Sequence, residues 1–312
     1  MRERMTGAAS FGGATRPPRT SKLQSIREGY GFLMPWLAGL LGLTLGPALF
    51  SLYLSFTKYD LVSDPKWIGM GNYVRIFSTD PKFWIAMKVT FTYVFLSVPL
   101  KLGFALAIAM MLNKGLRGLP IYRALFYLPS LLGGSVAIAI LWRQVFSSGG
   151  LFNQVLAMLG IKGMGWVSTP ETALYTLVLL TVWQFGSSMI IFLAGLRQIP
   201  ADMYEAASID GASPRRQFFR ITLPLLTPVI FFNAIVQTID AFKAFNSAFI
   251  ISDGTGGPVN ATLFYTLYLF QEAFSFFRMG YAAALAWVLV MIIGCITAIS
   301  FFMSRYWVHY DE

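Results

Sequence analysis

Residues 205–242 read EAASIDGASPRRQFFRITLPLLTPVIFFNAIVQTIDAF. The first half is polar and punctuated by Gly211 and Pro214, whereas the second half is almost wholly apolar. A bilayer core about 30 Å thick takes about 20 helical residues at 1.5 Å each. The apolar run that begins at Leu223 continues to Ile251, long enough to cross. This stretch therefore predicts a membrane span entered from a structured loop. Five further runs of the same kind occur at Phe32–Phe56, Trp84–Leu112, Ile121–Phe146, Thr172–Leu196 and Tyr281–Met303. The expected fold class is all-α, an integral membrane protein with six transmembrane helices.

Composition agrees. Of the 312 residues, 56% are hydrophobic and 12% charged, against about 45–50% and about 25% in an ordinary soluble domain. Disordered, collagenous, coiled-coil and disulfide-rich classes are excluded on that balance. Cys295 and His309 are each the sole residue of their type, so neither a disulfide framework nor a zinc site of the usual kind is expected. The net charge of +10 would suggest nucleic acid in a soluble protein. Here the basic residues lie mostly between apolar runs, and membrane topology is the better reading.

With the N-terminus inside, the inner segments hold fourteen Lys and Arg residues and the outer segments seven. That bias predicts cytoplasmic N- and C-termini in a bacterial or archaeal plasma membrane. The expected organisation is a cytoplasmic tail over residues 1–29, a six-span domain over 30–308 and a second cytoplasmic tail over 309–312. The first apolar run is too long for a secretory signal core and reads as an uncleaved span. Outer stretches are expected at residues 60–83 and 147–170, the latter with a short amphipathic pattern in Leu151–Leu159.

The inner loop, Arg197–Pro224, has its own local logic. Pro200 and Asp202 suit a helix start, and Gly211 suits its end because glycine tolerates positive φ. Ser213 and Pro214 then match the cap and first position of a second helix. Phe218, Phe219 and Ile221 supply apolar surface, and Glu205 supplies an acid. A helix–Gly–helix unit of this composition reads as a docking surface, although an amphipathic interfacial loop has similar features.

The spacing of Glu205, Ala206, Ala207, Gly211, Ile221, Leu223 and Pro224 resembles the EAA signature of permease subunits in binding-protein-dependent ABC importers. Similarity extends through YRALFYLP at Tyr122–Pro129, GLFNQVL at Gly150–Leu156, LAGLRQIP at Leu193–Pro200, SDGTGGPVNAT at Ser252–Thr262 and GYAAALAW at Gly280–Trp287. The chain looks like the carbohydrate branch, which includes oligosaccharide and glycerol-phosphate permeases. The resemblance implies the type I importer permease fold, with residues 197–224 as a cytoplasmic coupling loop. It implies a second homologous permease, an ABC ATPase dimer, an extracytoplasmic solute-binding protein and a carbohydrate substrate as partners. Glu205, Ala206, Ala207, Asp210 and Gly211 would form the contact with the ATPase, with Gly211 making the turn. No G-x-x-x-x-G-K-[ST] string occurs, so ATP and Mg would bind the partner subunits and this chain would be non-catalytic, holding no cofactor.

Polar residues within spans are costly and mark a pathway or a partner. Asn233, Gln237, Asp240 and Ala244 share one helical face. Asn233 and Gln237 suit sugar hydroxyls, and the family's substrate-lining face falls near them; bonding between helices is the alternative. Asp240 is a weaker member of that pathway set, because it and Lys243, at i and i+3, suit mutual neutralisation. Trp183, Gln184 and Ser187 place an aromatic beside hydrogen-bonding groups, as a sugar platform needs, and equally fit ordinary packing. Lys101 faces the cavity or snorkels. Gly133, Gly134, Gly294 and Ala298 are expected to permit close helix contacts. A self-sufficient secondary transporter or channel is the alternative class, but it would call for internal repeats and midplane acids, of which Asp240 is the sole candidate.

Overall fold

The computed structural model describes residues 22–115 and 118–309, with residues 22–29 given as backbone alone. The expected N-terminal tail through residue 21, Arg117 and the last three residues lie outside it. The chain divides into two units, residues 1–51 and 52–312. In the first, helix α1 (Lys22–Gly39) passes through a π-helical turn at Leu40–Leu45 into α2 (Gly46–Ser55), which continues into the second.

The second unit opens with a two-residue antiparallel ladder, β1 (Thr57–Lys58) with β2 (Lys66–Trp67). Then follow α3 (Gly71–Ser78), α4 (Pro81–Asn113), α5 (Leu119–Leu132), α6 (Val136–Val145), α7 (Leu151–Met158), α8 (Pro170–Trp183) and α9 (Gly186–Leu196). The order continues with α10 (Ala201–Ile209), α11 (Pro214–Gln217), α12 (Leu223–Phe242), α13 (Asn246–Ile251), α14 (Tyr265–Phe270) and α15 (Met279–Trp307). Helix α4 starts where the residues dictate. Pro81 occupies its first turn, and the Asp80 carboxylate accepts from the Lys82 and Phe83 amides at 3.0 and 3.3 Å.

Four stretches are long and apolar enough to cross a membrane: Tyr30–Ser55, Pro81–Asn113, Pro214–Ile251, which is interrupted at residues 243–245, and Met279–Trp307. The other two expected spans are broken. Between α5 and α6 the chain turns by 95°, and between α8 and α9 by 43°. The first break falls at Gly133–Gly134–Ser135, where the Ser135 hydroxyl accepts from the Ile138 amide and caps a new helix. The third and fourth expected spans are thus each a bent pair of helices.

Two apolar clusters hold the second unit together. One gathers Phe83, Tyr93, Leu177, Phe242, Tyr265 and Leu285 from α4, α8, α12, α14 and α15. The other packs Ala105, Ala109, Phe185, Met189, Phe192 and Leu226 between α4, α9 and α12. Ala105 and Ala109 are fully buried, and their small side chains let α4 and α9 approach closely. The expected set of close-contact residues is mostly corrected. Gly134 and Gly294 have no atom within 4 Å of where a Cβ would stand, and Ala298 is exposed. Gly133 is a close approach as expected, and Gly186, Gly195 and Gly280 are others.

Candidate functional site

Three breaks in helical regularity meet at one cavity of about 320 Å³. The α5–α6 turn contributes Gly133, Gly134 and Ser135; the α8–α9 turn contributes Gln184 and Ser187; the α12–α13 turn contributes Lys243 and Phe245. Helix α4 completes the wall with Tyr93 and Lys101. Broken helices leave backbone groups to be satisfied from outside their own ladders. Ser130 on α5 does this for the α8–α9 turn, donating to the Gln184 carbonyl and accepting from the Ser187 amide, each at 3.0 Å. The Gln184 amide in turn donates to the Gly133 carbonyl at 3.2 Å. The two turns are thus cross-bonded, and the cavity wall is a braced unit rather than a loop.

Polar groups face this space from all sides. The Lys101 ammonium donates to Gln237 Oε1 at 2.6 Å, joining α4 to α12. The Tyr93 and Thr181 hydroxyls are bonded at 2.6 Å. Asp240 and Lys243 lie 3.5 Å apart, as their i, i+3 spacing suggests. Of the expected pathway residues, Gln184, Ser187, Gln237 and Asp240 line the cavity.

Asn233 and Trp183 do not. Asn233 shares the face of Gln237 but is 1% exposed, without a hydrogen-bond partner among the described residues. Trp183 is half-buried and packs on Trp142, with ring centroids 5.9 Å apart. The structure thus gives Trp183 the packing contact that was its alternative, and neither residue belongs to the lining of this cavity. Lys101 takes the cavity-facing one of its two expected alternatives, whereas Tyr93 and Thr181 are lining residues that the sequence reading did not name.

At the opposite end of α12 stands the loop element expected from the motif. Helix α10 contains no buried residue. Gly211 follows at φ +74°, and Ser213 caps α11 by accepting from the Arg216 amide at 3.4 Å. One side-chain bond ties the element to the body and a second braces it internally. Tyr204 and Thr222 share a hydroxyl bond at 2.9 Å, and Gln217 donates to Ser208 at 2.9 Å. Glu205 is exposed and makes no ion pair among the described residues, and Ile209 is 86% exposed. Ala206 and Asp210 are exposed beside them, and Ala207 is half-buried. A short helix that is fixed in place yet buries nothing presents a face to something else. A π-helical turn at Phe218–Thr222 then joins α11 to α12, Pro224 having no N–H for a regular bond.

Where α4 begins, Asp80 also accepts hydrogen bonds from the Tyr268 and Tyr281 hydroxyls. Burial pushes the Asp80 carboxyl up, but the two phenols and the capped amides outweigh it and hold the group below the usual carboxylate range. This knot fastens α4, α14 and α15 together.

Comparison with known proteins agrees with this architecture. Residues 70–308 match the family described as "Binding-protein-dependent transport system inner membrane component". A probable ABC transporter permease protein of Bacillus subtilis, YesP, is 56% identical over 93% of this chain and 96% of its own length. The lactose transport system permease protein LacF of Rhizobium radiobacter is 35% identical over 89% and 94%. The trehalose/maltose transport system permease protein MalF of Thermococcus litoralis is 34% identical over 84% and 88%. A solved bacterial alginate ABC transporter, in complex with an alginate pentasaccharide-bound periplasmic protein, shares the fold with a TM-score of 0.78 at 22% identity. That match covers 91% of this chain and 96% of its own. A multi-pass helical chain with this match over most of its length belongs to the inner-membrane components of binding-protein-dependent transport systems, the permease subunits of ABC importers.

Proposed function

We propose that this chain is one membrane half of an ATP-driven importer that carries a carbohydrate, delivered by an extracytoplasmic binding protein, into the cytoplasm. The observation that carries the reading is the connection of two sites by one helical segment. Residues 214–242 run as unbroken helix from the exposed α10–Gly211–α11 element to the cavity wall at Gln237 and Asp240. A push on the element reorients the helix that bears the wall, which is what alternating access needs.

In this reading the EAA element faces the cytoplasm, in keeping with the basic-residue bias. A separate ATPase dimer grips it, and a second homologous permease completes the pathway. Glu205 pairs with a basic group of the ATPase, while Ala206, Ala207, Asp210 and Gly211 shape the contact. ATP and Mg bind the ATPase subunits, and this chain is a non-catalytic subunit with no cofactor of its own. Lactose and trehalose/maltose in the names of relatives favour a carbohydrate. The cavity's hydroxyl, amide and ammonium groups suit sugar hydroxyls.

The test is the assembled complex in proteoliposomes with its binding protein. Glu205→Ala should abolish most solute-stimulated ATP hydrolysis while leaving membrane insertion unchanged. Recovery of this chain as a lone monomer that drives uptake from an ion gradient would overturn the reading.

A further inference from the structure

The cavity holds three charged side chains, Lys101, Asp240 and Lys243. Asp240 is paired with Lys243 at 3.5 Å. Among the described residues Lys101 has no carboxylate within 4 Å, Asp240 acting on it only at longer range. It lies past the midpoint of the 33-residue α4 and is 8% exposed, yet it opens on the cavity. An ammonium carries three donors, and the structure gives this one a single partner, the neutral amide oxygen of Gln237. A cation within a span is costly unless it is paired or serves a pathway. A cross-link between α4 and α12 would need only a neutral donor. The charge is therefore surplus to the packing, and the lining carries one net positive charge.

We propose that Lys101 determines specificity and that the solute is an acidic carbohydrate, whose uronate carboxylate takes the free donors of the ammonium. The inference rests on the reading of the chain as a carbohydrate importer permease. Each uronate residue carries one negative charge, so a single residue of an acidic oligosaccharide matches the single unpaired cation. The neighbouring hydroxyls of Tyr93, Thr181 and Ser187 and the amide of Gln184 remain for the sugar ring. A charge-assisted bond in a dehydrated site is worth more than the neutral contact it replaces.

The experiment measures uptake by the complete importer, with its binding protein, of trigalacturonate, its carboxyl-reduced neutral counterpart and glycerol 3-phosphate. The binding protein's own preference is common to every permease variant and cancels when the acidic-to-neutral ratio is compared between variants. Lys101→Met should lower that ratio by about tenfold or more, the scale of one charged hydrogen bond, and Lys101→Arg should retain most of it. Gln237→Glu should also lower it, because an added carboxylate neutralises Lys101 while keeping the link between α4 and α12.

An unchanged ratio in both Lys101→Met and Gln237→Glu would overturn the inference and leave Lys101 a structural cross-link. Uptake of the neutral sugar alone by the unaltered complex would overturn it too, with the carbohydrate reading left standing. Lys101-dependent uptake of glycerol 3-phosphate in place of trigalacturonate would overturn the uronate assignment. Uptake of no carbohydrate of either kind would overturn both readings.

Discussion

Gly186 supports the sharpest structural prediction, because its surroundings are backbone. A Cβ added there would meet the Phe126 carbonyl oxygen, lie 2.7 Å from Tyr127 Cα and 3.0 Å from Ser130 Oγ. Side chains could rotate out of such a clash, but α5 would have to move. Overpacking of this kind costs about 1–3 kcal/mol. Displacing Ser130 also weakens its two bonds to the α8–α9 turn, each worth about 0.5–1.5 kcal/mol. Gly186→Ala should therefore destabilise by about 2–4 kcal/mol, lowering the unfolding temperature by roughly 5–10 °C. The assay is thermal unfolding of the detergent-solubilised complex, with Gly134→Ala as the control. No atom lies within 4 Å of the Gly134 Cβ position, so that control should be nearly neutral. A Gly186→Ala protein as stable as the parent, or a Gly134→Ala protein equally damaged, would refute the claim that the two broken helices brace each other.

Three further outcomes follow from single sites. Asp80→Asn should loosen the junction of α4, α14 and α15, and the advantage of the parent over this variant should depend on pH. A carboxyl held below its ordinary value of 3.8 contributes stability that is full above that value and fades as pH falls through the lower folded value; unfolding midpoints compared at pH 6 and pH 3 would show whether the gap closes. Neutralising Asp240 and Lys243 together should change stability by under about 1 kcal/mol, because the pair is more than half exposed, as denaturation of the double variant would report. Tyr204→Phe should leave the fold intact but lower the coupling of ATP hydrolysis to uptake, since the bond to Thr222 is one of two side-chain ties of α10; a coupling ratio equal to the parent's would remove that tie from the account.

Much of the architecture was legible in the sequence, and the parts that were not share a cause. Apolar runs located all six spans because burial in lipid demands length and little else. The loop element was legible residue by residue, since Pro200, Gly211, Ser213 and Pro214 act through local backbone preferences. The breaks at Gly133–Ser135 and Gln184–Gly186 were not, because an apolar run reads alike whether its axis is straight or bent. The cavity was half legible. Gln237 and Asp240 were found from the face they share, but a helical wheel gives direction without depth. It could not distinguish Gln237, which opens on the cavity, from Asn233, one turn away and buried. Lys101 has its meaning only from a helix that follows more than a hundred residues later, and no local pattern brings the two together.

The central claim is that the exposed α10–Gly211–α11 element is the grip for a cytoplasmic ATPase. A cysteine at its tip tests this most directly: Glu205→Cys with the native thiol removed as Cys295→Ser, assembled with the ATPase and treated with a short thiol-to-amine cross-linker. The account predicts a covalent adduct with the ATPase subunit and no labelling by an impermeant thiol reagent added outside intact cells. Labelling from outside, or an assembled complex in which residue 205 never joins the ATPase, would contradict it.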